Sequence, residues 1–495
     1  MDDYRSEDAL DGAAAYRALT SRDPRFDGVF FVGVTSTGIY CRPICPARTP
    51  RLENCRFFPT HEAAEKQSFR PCLRCRPELA PGNAPVDDAH RIAQLLAHRL
   101  EEGLVGEGAG LEVIAAQFEL SSRQLRRIVQ KELGVSPIEL LQTRRLLLAK
   151  QLLTETRLPI TEIAFASGFA SLRRFNDAFS ARYRMSPTSL RREAATHVPA
   201  MGLADTLTLQ LAYRPPYDWT GVLRFLQARI IRQVEWITDE AYWRTVRIGR
   251  QTGWIAVRHR PEKRALTVEF THSLTPVLPA LLGRLRHLFD LSARPDLITA
   301  HLSKDPLLAP EVSANPGLRL PGAFDGFELA VRTILGQQVT VKAATTLSCR
   351  LAEAFGETLA SPVPELTRLS PSPAALARAS VDRIARLGII SARARSIIAL
   401  AKACQSDALP LEAGANPEVA IQRLLALPGI GPWTAHYIAM RALRWPDAFP
   451  TGDIAVLNNL GGITAKQAEA LSQAWRPWRS YAVLHIWNQG DPAHA

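Results

Sequence analysis

The chain has 495 residues, of which 46% are hydrophobic and 22% charged, enough for three or four ordinary domains with buried cores. No run approaches the ~20 apolar residues of a membrane-spanning helix, and the acidic start (1–11) is not a secretion signal, so a helical membrane protein is excluded and a cytoplasmic bacterial protein without membrane partners is expected. The net charge of +12, mostly from arginine, suits a polyanionic partner without identifying one.

In a reducing compartment the seven cysteines should be thiols or metal ligands rather than disulfides. Five of them fall between Cys41 and Cys75, so they are concentrated in a short strand-like region (13–80). Cys41-Arg42-Pro43-Ile44-Cys45 and Cys72-Leu73-Arg74-Cys75 are two knuckles, each presenting two thiolates, separated by twenty-six residues. That spacing suits tetrahedral zinc, which would supply much of the folding energy of so small a domain. Spacing alone points to an inert structural site. Cys55 lacks a partner at knuckle spacing and is expected to pack, as are the isolated Cys349 and Cys404.

The flanking residues say more. Phe30-Phe31-Val32-Gly33-Val34-Thr35-Ser36-Thr37-Gly38-Ile39-Tyr40-Cys41-Arg42-Pro43, with Phe69-Arg70-Pro71-Cys72-Leu73-Arg74-Cys75-Arg76-Pro77, closely resembles the N-terminal domain of the Ada family, which repairs methylphosphotriesters in DNA. The resemblance implies that Cys41, Cys45, Cys72 and Cys75 bind one zinc and that Cys41 takes the methyl group. The chemistry is consistent: the thiolate is the nucleophilic form of cysteine, and a zinc-bound thiol is deprotonated. Arg42, Arg48, Arg70, Arg74 and Arg76 are either phosphate contacts or a solvated basic face.

After a linker-like stretch, Pro81-Gly82-Asn83-Ala84-Pro85, the chain is helical and arginine-rich to about residue 193. Leu111-Glu112-Val113-Ile114-Ala115-Ala116 leads to a second helix opened by a Ser cap, whose buried stripe is Leu125, Ile128 and Val129. Arg123, Gln124, Arg126 and Arg127 are left outside that stripe. The same grammar recurs at Ile160-Thr161-Glu162-Ile163-Ala164, with Gly168 at the turn and Arg173 and Arg174 on the next helix. Between 121 and 150 there are seven basic residues against two acidic ones, the bias of a helix that meets DNA. Gly168-Phe169, Phe175, Phe179 and Ser186-Pro187 resemble the AraC-type DNA-binding domain, and Ada proteins carry that type of domain directly after the zinc domain. Ada also ends in a Pro-Cys-His-Arg acceptor site; this sequence has none, so O6-methylguanine repair is not expected.

The remainder opens with period-two alternation at Leu207, Leu209 and Leu211, a helix over 219–231, and strands at 254–257 and 266–270, and is almost wholly helical after Pro321. Leu427-Pro428-Gly429-Ile430-Gly431-Pro432-Trp433-Thr434-Ala435 reads as a hairpin between helices, where Gly429 and Gly431 leave backbone N–H groups free to hold a DNA phosphate. Twenty-two residues past Gly431 comes Asp453, the hairpin-plus-Asp pattern of the helix-hairpin-helix glycosylases. Pro215-Pro216-Tyr217-Asp218-Trp219, Leu318-Arg319-Leu320-Pro321-Gly322, Ile334-Leu335-Gly336-Gln337-Gln338-Val339 and 478–487 resemble the AlkA family of alkylbase glycosylases. The resemblance implies Asp453 as catalyst, with Gln337, Gln338, Trp433, Tyr437 and Trp487 meeting the substrate. A base methylated at N3 or N7 is cationic, so aromatic faces can hold it by stacking and cation–π attraction. Gln338 stands where AlkA has an apolar wedge. Trp433 stands in the segment after the hairpin, where lyase-active relatives have Lys, so hydrolysis without strand nicking is expected. No cysteine follows Cys404, so no iron–sulfur cluster is expected.

The expected molecule is therefore multidomain α+β. It comprises a small zinc-bound α/β methyl-acceptor domain (1–80), an all-α double helix-turn-helix domain (86–193), an α+β glycosylase subdomain (203–320) and an all-α helix-hairpin-helix core (321–495). Its expected work is DNA alkylation repair coupled to transcriptional activation, on alkylated and promoter double-stranded DNA, with RNA polymerase as a candidate partner. The rival expectation is a regulator whose glycosylase-like half only binds DNA.

Overall fold

A computed structural model describes residues 12–22, 30–58, 64, 67–72, 74, 75, 77, 112, 115, 120–133, 135–194, 205–406 and 409–489. The linker at 81–85, the break at 196–202, Arg76 and most of the helix expected over 111–116 lie outside them. Among the described residues no helix is long and apolar enough to cross a membrane. The chain divides into two compact units, with the boundary near Glu139.

In the first unit, α1 (Gly12–Ser21) precedes β1 (Phe31–Val34), β2 (Ile39–Cys41), β3 (Cys55–Phe58) and β4 (Arg70–Pro71), which form a sheet in the order β3-β1-β2-β4. β2 and β4 run parallel, and Cys72 N–H donates to Tyr40 O at 3.0 Å, so the two knuckles leave the sheet side by side. Gly33 is required here, because a Cβ would lie 2.7 Å from the Phe58 ring. The apolar content is small: Ala15, Ala18, Leu19, Phe30, Val32 and Cys55 form one cluster. Cys55 packs as expected, with its thiol donating to Arg51 O at 3.3 Å. Further along, α2 (Ser122–Leu133) buries Leu125 and Val129.

Most of α3 (Pro137–Glu155) belongs to the second unit. It is followed by α4 (Ile160–Ala166), α5 (Leu172–Tyr183) and α6 (Pro187–Ala194). Gly168 turns the chain between α4 and α5 at φ +86°, and Ser171 caps α5 by accepting from Arg174 N. Beneath, Phe175 meets Phe169 in a T-shaped contact and Phe179 in a tilted one, with ring centroids 5.3 and 5.6 Å apart. This hairpin is continuous with the sheet that follows.

That sheet contains β5 (Thr206–Ala212), β6 (Glu235–Ile237), β7 (Ala241–Ile248), β8 (Gln251–Arg260) and β9 (Ala265–Thr271), antiparallel throughout, in the order β5-β9-β8-β7-β6. The helix expected over 219–231 is α7 (Trp219–Gln227), which stops four residues sooner. Leu209 and Leu211 share one buried cluster with Trp219 of α7 and with Leu152, Ile163 and Phe175 of the helical hairpin. β5 is an edge strand, and α3 covers its open side. Glu155 Oε2 accepts from Gln210 N at 2.9 Å, and Gln151 Nε2 donates to Gln210 O at 2.8 Å. Burial pushes the Glu155 carboxyl up, against the bonds from Gln210 and Gln151. His272 and Glu162 add a bond of 2.9 Å between the same two parts.

Helices α8 (Leu278–Leu288), α9 (Pro295–Leu302) and α10 (Ala309–Ala314) lead to the helical core. The core contains α11 (Gly326–Leu335), α12 (Val341–Phe355), α13 (Pro373–Ala377), α14 (Val381–Ala385), α15 (Ser391–Gln405), α16 (Pro417–Leu425), α17 (Pro432–Arg441), α18 (Ile454–Asn459), α19 (Ala465–Ser472) and α20 (Arg479–Gln489). Its cluster runs from Leu329 and Ile334 through Ile397, Leu424 and Ile438 to Ile486. Sheet and core are bolted together by buried charge. Glu328 of α11 takes Arg244 of β7 at 2.9 Å and Arg332 at 2.6 Å, and Arg332 reaches Glu235 of β6 at 2.8 Å. Burial opposes the charge on Glu328, but the two guanidiniums outweigh it and hold the carboxyl down at about 2.

Candidate acceptor and base-excision sites

Cys41 ends β2, Cys45 follows a turn closed by its N–H on Arg42 O at 3.1 Å, and Cys72 and Cys75 follow β4. All four sulfurs lie within 4.8 Å of one another. Tetrahedral zinc with bonds of about 2.3 Å places sulfurs about 3.8 Å apart, so the cluster fits the metal. Its electrostatics also call for a cation. The Cys41 thiol is pushed far up, first by its hydrogen bonds with Cys45 and Cys75 and then by burial, while the bonds from Cys41 and Cys75 draw Cys45 down to about 2. Four crowded thiols cannot all ionise unless a positive charge sits among them. These residues hold one zinc.

The four are not equally open. Cys45, Cys72 and Cys75 are buried, and Cys41 is half-buried. Arg42, a candidate phosphate contact by sequence, is fully buried. Its backbone N–H points at Cys75 Sγ (3.4 Å) and its guanidinium at Cys75 O (3.5 Å), so it braces the knuckles from behind. Arg48, Arg70 and Arg74 are exposed.

On α2, Arg123, Arg126 and Arg127 are exposed. Gln124 is exposed as well, but its amide oxygen accepts from Ser121 N at 2.9 Å while Ser121 Oγ accepts from Gln124 N, a reciprocal cap that occupies the side chain. On α5, Arg173 and Arg174 face solvent, Arg173 only 3.9 Å from Asp177 in an exposed i,i+4 pair. Such a pair is weak and can be exchanged for a phosphate.

In the core, α16 and α17 form the hairpin. Gly429 turns it at φ +75°, where a Cβ would collide with Ser396 Oγ, and Gly431 opens α17 with no side-chain cap, leaving the first N–H groups of the helix unspoken for. Asp453 caps α18 and is buried. Its Oδ1 accepts from Val456 N at 3.0 Å and from Trp487 Nε1 at 3.0 Å, and its Oδ2 from Trp433 Nε1 at 2.9 Å. Trp433 stacks on Tyr437 at 5.3 Å, and Tyr437 lies 6.0 Å from Trp487. Sequence reasoning named all four residues, and the structure brings them together.

It missed what stands behind them. Arg441 donates to Tyr437 Oη at 3.1 Å and to the carbonyls of Pro321 and Gly322 at 2.8 and 3.0 Å. Burial raises the Tyr437 phenol, but Arg441 and Arg229 beside it outweigh this and hold it below its ordinary value. Pro321-Gly322 was visible in the sequence as a motif; its partner Arg441 was not. Gln337 is not in the aromatic cluster, since its amide is turned onto the hairpin, and Gln338 is exposed at the end of α11. A separate cavity of about 170 Å³, walled by His287, Asp290, Arg444 and Trp478, does not include Asp453.

The chain matches four family models: the metal binding domain of Ada over 14–78, a helix-turn-helix domain over 114–193, the AlkA N-terminal domain over 208–325, and the HhH-GPD superfamily base excision DNA repair proteins over 331–480. It is 40% identical to the probable bifunctional transcriptional activator/DNA repair enzyme AlkA of Mycobacterium tuberculosis, over 95% of each chain. DNA-3-methyladenine glycosylase 2 of Escherichia coli is 37% identical over 56% of this chain and 95% of its own. The bifunctional transcriptional activator/DNA repair enzyme AdaA of Bacillus subtilis is 32% identical over 36% of this chain and 81% of its own.

Proposed function

Given that the chain belongs to the family of bifunctional transcriptional activator/DNA repair enzymes that join an Ada-type zinc domain and a helix-turn-helix domain to an AlkA-type glycosylase, we propose which residues do its work and in what order. The protein repairs alkylated DNA and activates transcription. Its DNA-binding parts are the helix-turn-helix units and the hairpin.

Cys41 is the methyl acceptor, and the observation that carries this is that it alone of the four clustered sulfurs belongs to a partly exposed residue. Bound zinc holds the sulfurs as thiolates at neutral pH. The Cys41 sulfur attacks the methyl carbon of a methylphosphotriester. The S–C bond forms as the C–O bond breaks, and the phosphate leaves with the electron pair, restoring an ordinary phosphodiester. Cys41 becomes a neutral thioether, so one negative charge is lost from a domain that exposes Arg48, Arg70 and Arg74, and DNA is held more tightly. At a promoter, RNA polymerase is the partner that reads this change. Mass spectrometry after exposure to methylated DNA should show one added methyl on the Cys41 peptide; an unchanged mass would leave the cluster a structural zinc site.

In the C-terminal half, Asp453 is the catalytic carboxylate. Three N–H donors fix its oxygens as acceptors, two of them indoles of the aromatic cluster that receives the base. The extruded cationic base stacks against Trp433, Tyr437 and Trp487. As the N-glycosidic bond breaks, the base leaves with its electrons as a neutral molecule. Asp453 stabilises the positive sugar until water adds to it and gives up a proton to solvent, leaving an abasic site. With Trp433, rather than a lysine, in the segment after the hairpin and bound to Asp453, the reaction is hydrolysis without strand nicking. Borohydride should trap no protein–DNA adduct. Release of 3-methyladenine by the wild type and its loss in Asp453→Asn is the decisive comparison. No release by the wild type, or equal release by both, would favour the rival in which this half only binds DNA.

A further inference from the structure

α11 ends at Leu335, and the next turn carries two glutamines with opposite fates. Gln338 is exposed with φ +52°, a left-handed backbone that costs a non-glycine residue energy, and Val339 beside it is also exposed. Gln337 is half-buried and held from three sides. Its Nε2 donates to Gly429 O at 2.9 Å and to Thr434 Oγ1 at 2.9 Å, and its backbone carbonyl accepts from the Arg393 guanidinium. The first two partners are the turn of the hairpin and the first turn of α17. Arg393 lies on α15 one turn from Ser396, the residue packed against Gly429. The tip that carries Gln338 and the turn that carries the free N–H groups of α17 are therefore tied directly and also through one face of α15.

We propose that Gln337 is a positioning residue that locks the Gln338 tip to the hairpin, so that gripping the backbone and prising out the base act as one rigid step. This rests on the reading of the C-terminal half as a glycosylase. The position calls for a side chain that donates hydrogens. A carboxylate of the same shape has no donor and would face the Gly429 carbonyl with negative charge. A methionine has the length but no hydrogen. Extrusion from a paired duplex costs a few kcal/mol, whereas an unpaired base costs much less, so a brace that serves extrusion matters only for the first substrate.

The test compares Gln337→Met with the full-length wild type in single-turnover release of 3-methyladenine. One substrate holds the base paired in a duplex, and the other holds it in single-stranded DNA of the same sequence. Loss of two hydrogen bonds is expected to slow release from the duplex by about thirtyfold and from the single strand by less than about threefold. Arg393→Lys, which keeps one donor near the Gln337 carbonyl, should show the same selectivity with a smaller loss. Thermal melting of each variant checks that the fold persists. Equal slowing on both substrates marks a merely structural contact and overturns the proposal, as does no slowing on either. If the wild type releases base from neither substrate, the glycosylase reading itself falls and takes this proposal with it, a result distinct from a wild type that works and a variant that shows no selectivity.

Discussion

Around Cys41 the chain supplies four sulfurs, a short sheet and a handful of buried aromatics, whereas around Asp453 it supplies an apolar core spanning twelve helices of the described residues. The first site borrows its order from a metal; the second builds order from packing and then spends N–H groups on one carboxylate. The two constructions suit two kinds of work. On the proposed reading Cys41 is consumed when it reacts, so its surroundings need only activate it once and register the change. On the same reading Asp453 is unchanged after every turnover, and its oxygens are fixed before any substrate arrives.

The contrast can be broken most forcefully by taking the metal away. Structural zinc contributes roughly 10–16 kcal/mol to small domains, so a strong chelator should unfold the cysteine region and leave the melting of the second unit unchanged in calorimetry. Common loss of both transitions would mean that the two units are not independent. Next in size, Glu328→Ala leaves Arg244 and Arg332 buried with one carboxylate, Glu235, between them and should destabilise the second unit by about 3–5 kcal/mol in denaturant melts, while the zinc cluster keeps its thiol count. Trp487→Phe keeps an aromatic ring but removes the N–H to Asp453 Oδ1. Hydrogen bonds to charged groups contribute about 1.5–3 kcal/mol, so base release should slow by roughly ten- to a hundredfold with binding of undamaged DNA unaltered. The smallest effect concerns Glu155. Its folded pKa is raised by burial, so its contribution to stability is fullest below the unfolded glutamate value and is lost as pH rises through the folded one. Glu155→Gln keeps an acceptor for Gln210 and should therefore raise the melting temperature slightly at pH 7, with no gain at pH 4.

Much of both sites was legible because their signals are local. Two cysteine knuckles, a hairpin with two glycines and an Asp at fixed distance each compress chemistry into a few residues. What was not legible depends on partners far along the chain. β7 carries Arg244, Thr245 and Arg247 among apolar and aromatic residues and was not expected as a strand; the residue that makes Arg244 tolerable in the interior is Glu328, eighty-four positions later. Gln337 was expected against substrate, yet its partner Gly429 lies ninety-two positions on. Arg42 looked like any arginine beside a basic site, and only the β2–β4 pairing shows that it is enclosed behind Cys75. Charge read along a chain does not say which side of a sheet it will fall on.

The cover that α3 lays over β5 also bears on how this fusion can be taken apart. A glycosylase fragment cut in the break at 196–202 would keep every residue around Asp453 yet bare Gln210 N and O on the open side of β5. An unpaired edge is a template for another strand, so such a fragment should associate with itself through β5 even while it excises bases. A fragment that begins ahead of α3 should stay monodisperse. For this polypeptide the seam between the two compact units runs between its two helix-turn-helix motifs, at the start of α3, and anyone dividing it for crystallisation or assembly work should cut there.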